Sequence, residues 1–242
     1  MRLDKLISQQ TIYSRKEVKK LIRAGRITVN GQLAQGPNQH VDEVLDTVSL
    51  DDEFIQYEPY IYYLLNKPAG YISSTKPGLY PTVISLLEEE IEAIYQPFPV
   101  GRLDVDTEGL LLITNDGDLA HQVTSPRHEV EKEYYAEVLG LVTEADQKAF
   151  KQGLDIGEDQ KTKPSQLFID GLDQDRQISY VRVILTEGKF HQVKRMFEAV
   201  GKEVSYLKRI RMGQCLLPDN LEIGEYLPLF REEAYQLFLD QA

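Results

Sequence analysis

Residues 101–117, GRLDVDTEGLLLITNDG, decide how this chain is read. The first half, D-V-D-T-E-G, spaces its carboxylates like a calcium-binding loop, whereas the second half is an apolar run. With Asp104 at the first loop position, Asp106, Glu108 and Gly109 fall at the third, fifth and sixth, as such a loop requires. The ninth position is Leu112, which has no oxygen to offer, and the twelfth, where a bidentate Glu belongs, is Asn115. No exiting amphipathic helix follows, so calcium is rejected. LLLIT reads instead as a buried strand, NDG (115–117) as a tight turn supplying positive φ, and DLAHQVTS as a short helix. Judged locally, Asp104 is a turn carboxylate capping a neighbouring N–H.

Outward from that strand, IYYLLNKP, KEYYAEVLG, LFID, ISYVRVILT and EVSYLKRIRM read as further strands. PTVISLLEEE, with Pro81 near its first turn, TEADQKAFKQG and KFHQVKRMFEAVG read as helices. In the last, Phe190, Val193, Phe197 and Val200 are expected to be buried, leaving His191, Lys194, Arg195 and Glu198 on the polar side. Helices and strands mix without strict alternation, which predicts an α+β fold around a mixed, mainly antiparallel sheet.

The N-terminal region is separate. Residues 14–25, SRKEVKKLIRAG, carry both ends of a helix: a Ser14/Glu17 capping box and a closing Gly25. Val18, Leu21 and Ile22 form its apolar stripe, so Lys16, Lys19, Lys20 and Arg23 face outward. A short helix around Leu3 to Ser8 precedes it, and Asn30-Gly31 in ITVNGQLA suits a type I′ hairpin turn. A boundary is expected near QYEPY, giving domains of 1–57 and 58–242.

The formal net charge of −12 argues by itself against a polyanionic partner, but the charge is unevenly spread. Arg2, Lys5, Arg15, Lys16, Lys19, Lys20, Arg23 and Arg26 crowd the first thirty residues against Asp4 and Glu17 alone. A second basic cluster runs from Lys189 to Arg211. One cysteine, Cys215, and four scattered histidines give neither a disulfide nor metal-ligand spacing. No apolar stretch reaches membrane-spanning length, and MRLDKLISQQ lacks the apolar core of an export signal. The expectations are no metal, no membrane partner, a cytoplasmic location and, by default, a monomer.

The set MRLDKLI, SRKEVKKLIRAG and ITVNG resembles the alpha-L (S4-like) RNA-binding domain over about the first 55 residues. Three further motifs, VGRLDVDTEGLLLITNDG, SPRHEVEKEYYAEV and EGKFHQVKRMFEAVG, resemble in order those of the RsuA branch of pseudouridine synthases. The resemblance covers essentially the whole chain. It implies isomerisation of a flipped-out uridine with no cofactor. It assigns Asp104, Tyr134 and Lys194 to catalysis, Arg102 to phosphate or to the gap left in the RNA, and Leu207 to the floor of the uracil pocket. Arg2, Arg15, Lys19, Arg23 and Arg195 are implied as RNA contacts. The HQVKRMF form and the domain order are most similar to enzymes acting on 16S ribosomal RNA, at uridine 516, with naked rRNA or a small-subunit assembly intermediate as the partner.

The chemistry accounts for these residue types. Breaking the glycosidic bond and rejoining the base through carbon requires an ionised carboxylate beside the sugar, acting as nucleophile or in proton transfer. A carboxylate withdrawn from water tends to protonate. An ammonium about 4 Å away offsets that by roughly 4 kcal/mol at an effective dielectric near 20, the part implied for Lys194. Two rival readings fit less well. An RNA-binding protein without catalysis would not need competent residues at all three positions. A glycosidase pairing Asp104 with Asp106 or Glu108 would use aromatic platforms, and the chain has no Trp.

Overall fold

In the computed structural model, which describes residues 1–239, the chain separates into two units. The first contains Met1–Ile61 together with Leu87–Pro97; the second contains Tyr62–Leu86 and the chain from Phe98 on. The sequence reading placed residues 87–97 in the larger domain, whereas here they pack with the N-terminal residues.

The first unit has helices α1 (Leu3–Gln10), α2 (Arg15–Arg23) and α3 (Glu89–Tyr95). Its strands β1 (Ile27–Val29), β2 (Gln32–Leu33), β3 (Val48–Leu50) and β4 (Glu53–Ile55) form an antiparallel sheet in the order β2-β1-β3-β4. The capping box is present: Ser14 Oγ accepts from the Glu17 N–H, and the Glu17 carboxylate accepts from the Ser14 N–H. Asn30 and Gly31 both have positive φ, as a type I′ turn requires. Leu3, Leu6 and Ile7 of α1 close on Val18, Leu21 and Ile22 of α2 to make the core.

The second unit is built on β5 (Tyr62–Lys67), β6 (Phe98–Pro99), β7 (Glu108–Thr114), β8 (Lys132–Leu139), β9 (Gln166–Asp173), β10 (Ile178–Leu185), β11 (Glu203–Met212), β12 (Cys215–Leu216) and β13 (Tyr226–Pro228). These form one nine-stranded sheet along the path β13-β5-β7-β11-β8-β10-β9, with β6 on β7 and β12 on β11. Every pair is antiparallel except β7 with β11, so the expected mixed, mainly antiparallel α+β architecture is observed. Helices α4 (Gly117–Thr124), α5 (Glu144–Gln152), α6 (Gln192–Glu198) and α7 (Arg231–Leu239) complete it.

The parallel seam is short, pairing Lys208 with Glu108 and Arg209 with Gly109. Gly109 has φ +102°, and a Cβ there would run into the backbone of Arg209. Only glycine supplies both that conformation and that clearance.

Two local readings are corrected. PTVISLLEEE is not one helix: a 3-10 turn spans Val83–Leu86, Glu88 is extended, and α3 begins afresh at Glu89. Glu89, Glu90 and Glu92 crowd the first turn of α3, where negative charge is favoured, so the helix starts among them. NDG is not a positive-φ turn either. Asp116 is the N-cap of α4, its carboxylate accepting from the Asp118 and Leu119 N–H groups, and Gly117 is the first helical residue. The same carboxylate accepts from the hydroxyls of Tyr62 (2.7 Å) and Tyr235 (3.0 Å), which ties α7 to α4 and β5.

Candidate active site

Asp104 lies in the loop between β6 and β7, and that loop is held from within. Lys67, the last residue of β5, is fully buried. Its ammonium donates to the carbonyls of Pro68 (3.0 Å), Asp104 (3.1 Å) and Thr107 (2.7 Å). Burial pushes the Lys67 pKa down to about 8, against the opposing pull of Asp106, Asp104 and Glu108. From the other side, the Leu103 N–H donates to Ser73 Oγ, which donates back to the Leu103 carbonyl. The backbone at Asp104 is thereby fixed while its side chain stays about one-quarter exposed, at 26%.

The two oxygens of that carboxylate face two cations or potential cations. Lys194 Nζ is 3.7 Å from Oδ2, and His191 Nε2 is 3.6 Å from Oδ1. Lys194 does not serve Asp104 alone, because its closer partner is Asp106 Oδ1 at 2.6 Å. Burial raises the Asp106 pKa, but the hydrogen bond and charge of Lys194 outweigh it and hold Asp106 below the usual carboxylate range. Lys194 is carried by α6 and His191 by its N-cap position; the helix is shorter than expected. It starts at Gln192, preceded by His191 in the left-handed conformation (φ 50°, ψ 34°). Phe190 therefore falls outside the helix and is 68% exposed instead of buried, stacked on the His191 ring at 3.8 Å. Val193, Met196 and Phe197 fill the buried face that the sequence reading had given partly to Phe190 and Val200.

Beside Asp104 opens a cavity of about 570 Å³, within the usual range for small-molecule sites. Tyr134 and Leu207, both buried, line it together with exposed Arg102. Tyr134 is on β8 and Leu207 on β11, adjacent strands whose inward side chains meet at this point. Tyr135, one residue on, faces the opposite side of the sheet and packs edge-on against Tyr206. Asp104, Tyr134, Leu207 and Arg102 thus share one cavity, and Lys194 reaches Asp104 without being part of the cavity wall.

Comparison with known proteins gives this arrangement a family. Residues 61–199 match the family of RNA pseudouridylate synthases, and residues 1–44 match the S4 domain. The uncharacterised RNA pseudouridine synthase YtzG of Bacillus subtilis is 42% identical over the full length of both chains. The ribosomal small subunit pseudouridine synthase A of Escherichia coli is 38% identical, covering 96% of this chain and 98% of its own. A crystal structure of a pseudouridylate synthase superposes with a TM-score of 0.67 at 36% identity, covering 98% of this chain and 99% of that one. The chain is an RNA pseudouridine synthase of the RsuA type.

The remaining candidate residues of the synthase divide into exposed and tied groups. Arg15, Lys19 and Arg23 are exposed on α2, opposite its buried stripe. Arg2 is instead held by Asp4, donating from Nε (3.0 Å) and Nη2 (2.9 Å), and Asp4 is itself buried. Arg195 pairs with Glu158 at 2.8 Å and also donates to the Ile156 and Phe190 carbonyls, so its guanidinium is spent on its own domain. The sequence reading gave no individual place at this site to His191, Lys67 or Arg209. Lys67 had a signal, a lysine closing an apolar strand; Arg209 had one too, an arginine between apolar positions of a strand. His191 had none, since its reach to Asp104 depends on a left-handed backbone. Among the described residues no helix is long and apolar enough to cross a membrane.

Proposed function

We propose that this synthase isomerises one uridine of 16S ribosomal RNA, uridine 516, to pseudouridine, taking naked rRNA or a small-subunit assembly intermediate as substrate. One observation carries the catalytic part. The Asp104 carboxylate, flanked by Lys194 at 3.7 Å, opens on a cavity lined by Tyr134 and Leu207. The choice of RNA is supported by relatives of about 40% identity named as small-subunit enzymes.

The target base is inaccessible inside a stacked strand, so it must be extruded at a cost of a few kcal/mol. Phosphate contacts from Arg102 and from Arg15, Lys19 and Arg23 on α2 offset that cost. In the cavity the ring of Tyr134 stacks on the uracil and its hydroxyl takes or relays a proton, while Leu207 closes the floor. Asp104 acts on the ribose, either attacking C1′ or moving a proton from the sugar; both roles use its carboxylate, which Lys194 flanks at 3.7 Å. The base then turns so that C5 replaces N1 at C1′. The small unit grips RNA, and the large unit performs chemistry and selects the nucleotide. The synthase works as a cytoplasmic monomer.

Tritium release from 5-tritiated uridine in 16S rRNA, followed by mapping of the modified position, tests this. Release with the modification mapped to uridine 516 is expected. Release from large-subunit rRNA alone would overturn the substrate, and no release from any RNA would overturn the reaction.

A further inference from the structure

Among the basic side chains that line the cavity, Arg209 of β11 and Lys132 of β8 are given no work by the roles above and, unlike Lys189, which pairs with Glu158, have no carboxylate partner among the described residues. Arg209 is 2% exposed; its Nε donates to the Leu110 carbonyl at 2.8 Å, and its Nη2, buried in the wall, has no hydrogen-bond partner. Lys132 shares the inward face of β8 with Tyr134, and its ammonium donates to the Val130 carbonyl at 2.7 Å. Arg209 pairs in register with Tyr134, and Met212 with Lys132, so both cations flank the tyrosine assigned to the base. Among the described residues neither forms an ion pair.

A buried guanidinium nitrogen without an acceptor costs free energy comparable to a lost hydrogen bond, and more because it is charged. Lys132 adds to that cost: burial, and after it the charge of Arg209, push its pKa down to about 8. Two cations in the wall of an open cavity, one of them buried, describe a site for negative charge. Asp104 does not supply it, being engaged with Lys194 and His191.

We propose that Arg209 and Lys132 are catalytic residues that bind the uracil as it leaves the sugar as an anion. This inference rests on the pseudouridine synthase reading. When the C1′–N1 bond breaks, its electron pair departs with N1, whether Asp104 has bonded to C1′ or has removed a sugar proton. The uracil then carries one negative charge spread over N1, O2 and O4. A guanidinium and an ammonium in the wall meet those oxygens, and because the ligand is neutral before cleavage, they favour the transition state over the bound substrate. The charge disappears again once C5 has bonded to C1′, displacing Asp104 from that carbon or with Asp104 returning the sugar proton, the C5 proton has been lost and N1 has been protonated, so atoms and electrons balance as an isomerisation.

The test varies the leaving group. RNA carrying uridine or 5-fluorouridine at the target is compared in single-turnover reactions at saturating enzyme, reading consumption of the nucleoside by nuclease digestion and mass spectrometry. Fluorine withdraws electrons and stabilises the departing anion without help from the protein. Arg209→Met is expected to slow uridine about 100-fold, the scale of losing one charge-stabilising donor. With 5-fluorouridine its defect is expected to shrink to about tenfold or less, in line with a transition state that needs less external stabilisation. Lys132→Gln, nearer the surface, should follow the same pattern with a smaller loss, and it decides the matter if Arg209→Met does not fold. Equal slowing on both substrates by folded variants would overturn the proposal and leave these residues a structural role. An inactive parent enzyme on both RNAs would instead overturn the reaction itself.

Discussion

The two faces of strand β8 treat charge in opposite ways. On the outer face Glu133 is buried and accepts from Arg182 at 2.9 Å and from Arg211 at 2.8 Å. Those arginines also meet Asp170 at 2.8 Å and Glu131 at 2.9 Å, so each charge has an opposite. On the inner face, one residue away in sequence, Lys132 and Arg209 have only carbonyl partners, and Asp104 keeps a quarter of its side chain open. A network complete in the resting protein holds the sheet; an incomplete one waits for something to complete it. Low-dielectric surroundings make that difference costly, so unbalanced charge in the interior marks chemistry better than charge alone does.

The contrast can be broken at its functional end first. Asp104→Asn should abolish tritium release below detection while RNA affinity stays within a few-fold, checked by filter binding; measurable turnover would transfer the carboxylate role elsewhere. Lys194→Met should lower the single-turnover rate by about 100-fold, the scale of removing one electrostatic interaction with a reacting group. Because Lys194 also binds Asp106, the double variant with Asp106→Asn separates the two partners: a loss unchanged from Lys194→Met assigns the effect to Asp104.

At the structural end, Glu133→Gln should cost about 2–3 kcal/mol of stability, as expected for hydrogen bonds to charged groups, with the rate per folded enzyme within about threefold. Burial raises the Glu133 pKa, but Arg211 and Arg182 outweigh it and hold it below the usual value. Its contribution is therefore present above the unfolded glutamate pKa of about 4.3 and is lost as pH falls through the lower folded value. Urea titrations should show the gap between wild type and variant closing below about pH 4. The smallest effect belongs to charges that are solvated in the free protein. Replacing Lys16, Lys19, Lys20 and Arg23 by alanine should leave catalysis at saturation unchanged and reduce the salt slope of RNA binding by about 0.7 to 0.9 for each phosphate no longer neutralised. An unaltered slope would remove α2 from the RNA surface.

Helix α2, the hairpin at Asn30-Gly31 and the strand after Asp104 were legible because each is signalled locally, by caps, turn residues or an uninterrupted apolar run. The family motifs pointed to Asp104, Tyr134 and Lys194; in the fold Asp104 and Tyr134 line one cavity and Lys194 lies 3.7 Å from Asp104. What sequence periodicity could not supply is the non-local part. Extending the α6 pattern back to Phe190 failed because His191 turns left-handed, and that turn aims the imidazole at Asp104. Asp116 looked like half of a turn because its tyrosine partners are 54 and 119 positions away. Lys67 and Arg209 were read as ordinary members of their strands, and their partners become visible only when β5, β7 and β11 lie side by side.

Gly109 has a consequence beyond its own backbone. The loop bearing the carboxylate and the strand bearing Leu207 and Arg209 belong to different halves of the sheet, stitched by only two residue pairs. A single added methyl at that stitch would meet the Arg209 backbone and push the two halves, and with them Asp104 and Leu207, apart. The smallest residue in the strand is thus what lets the two halves of the sheet close at this seam.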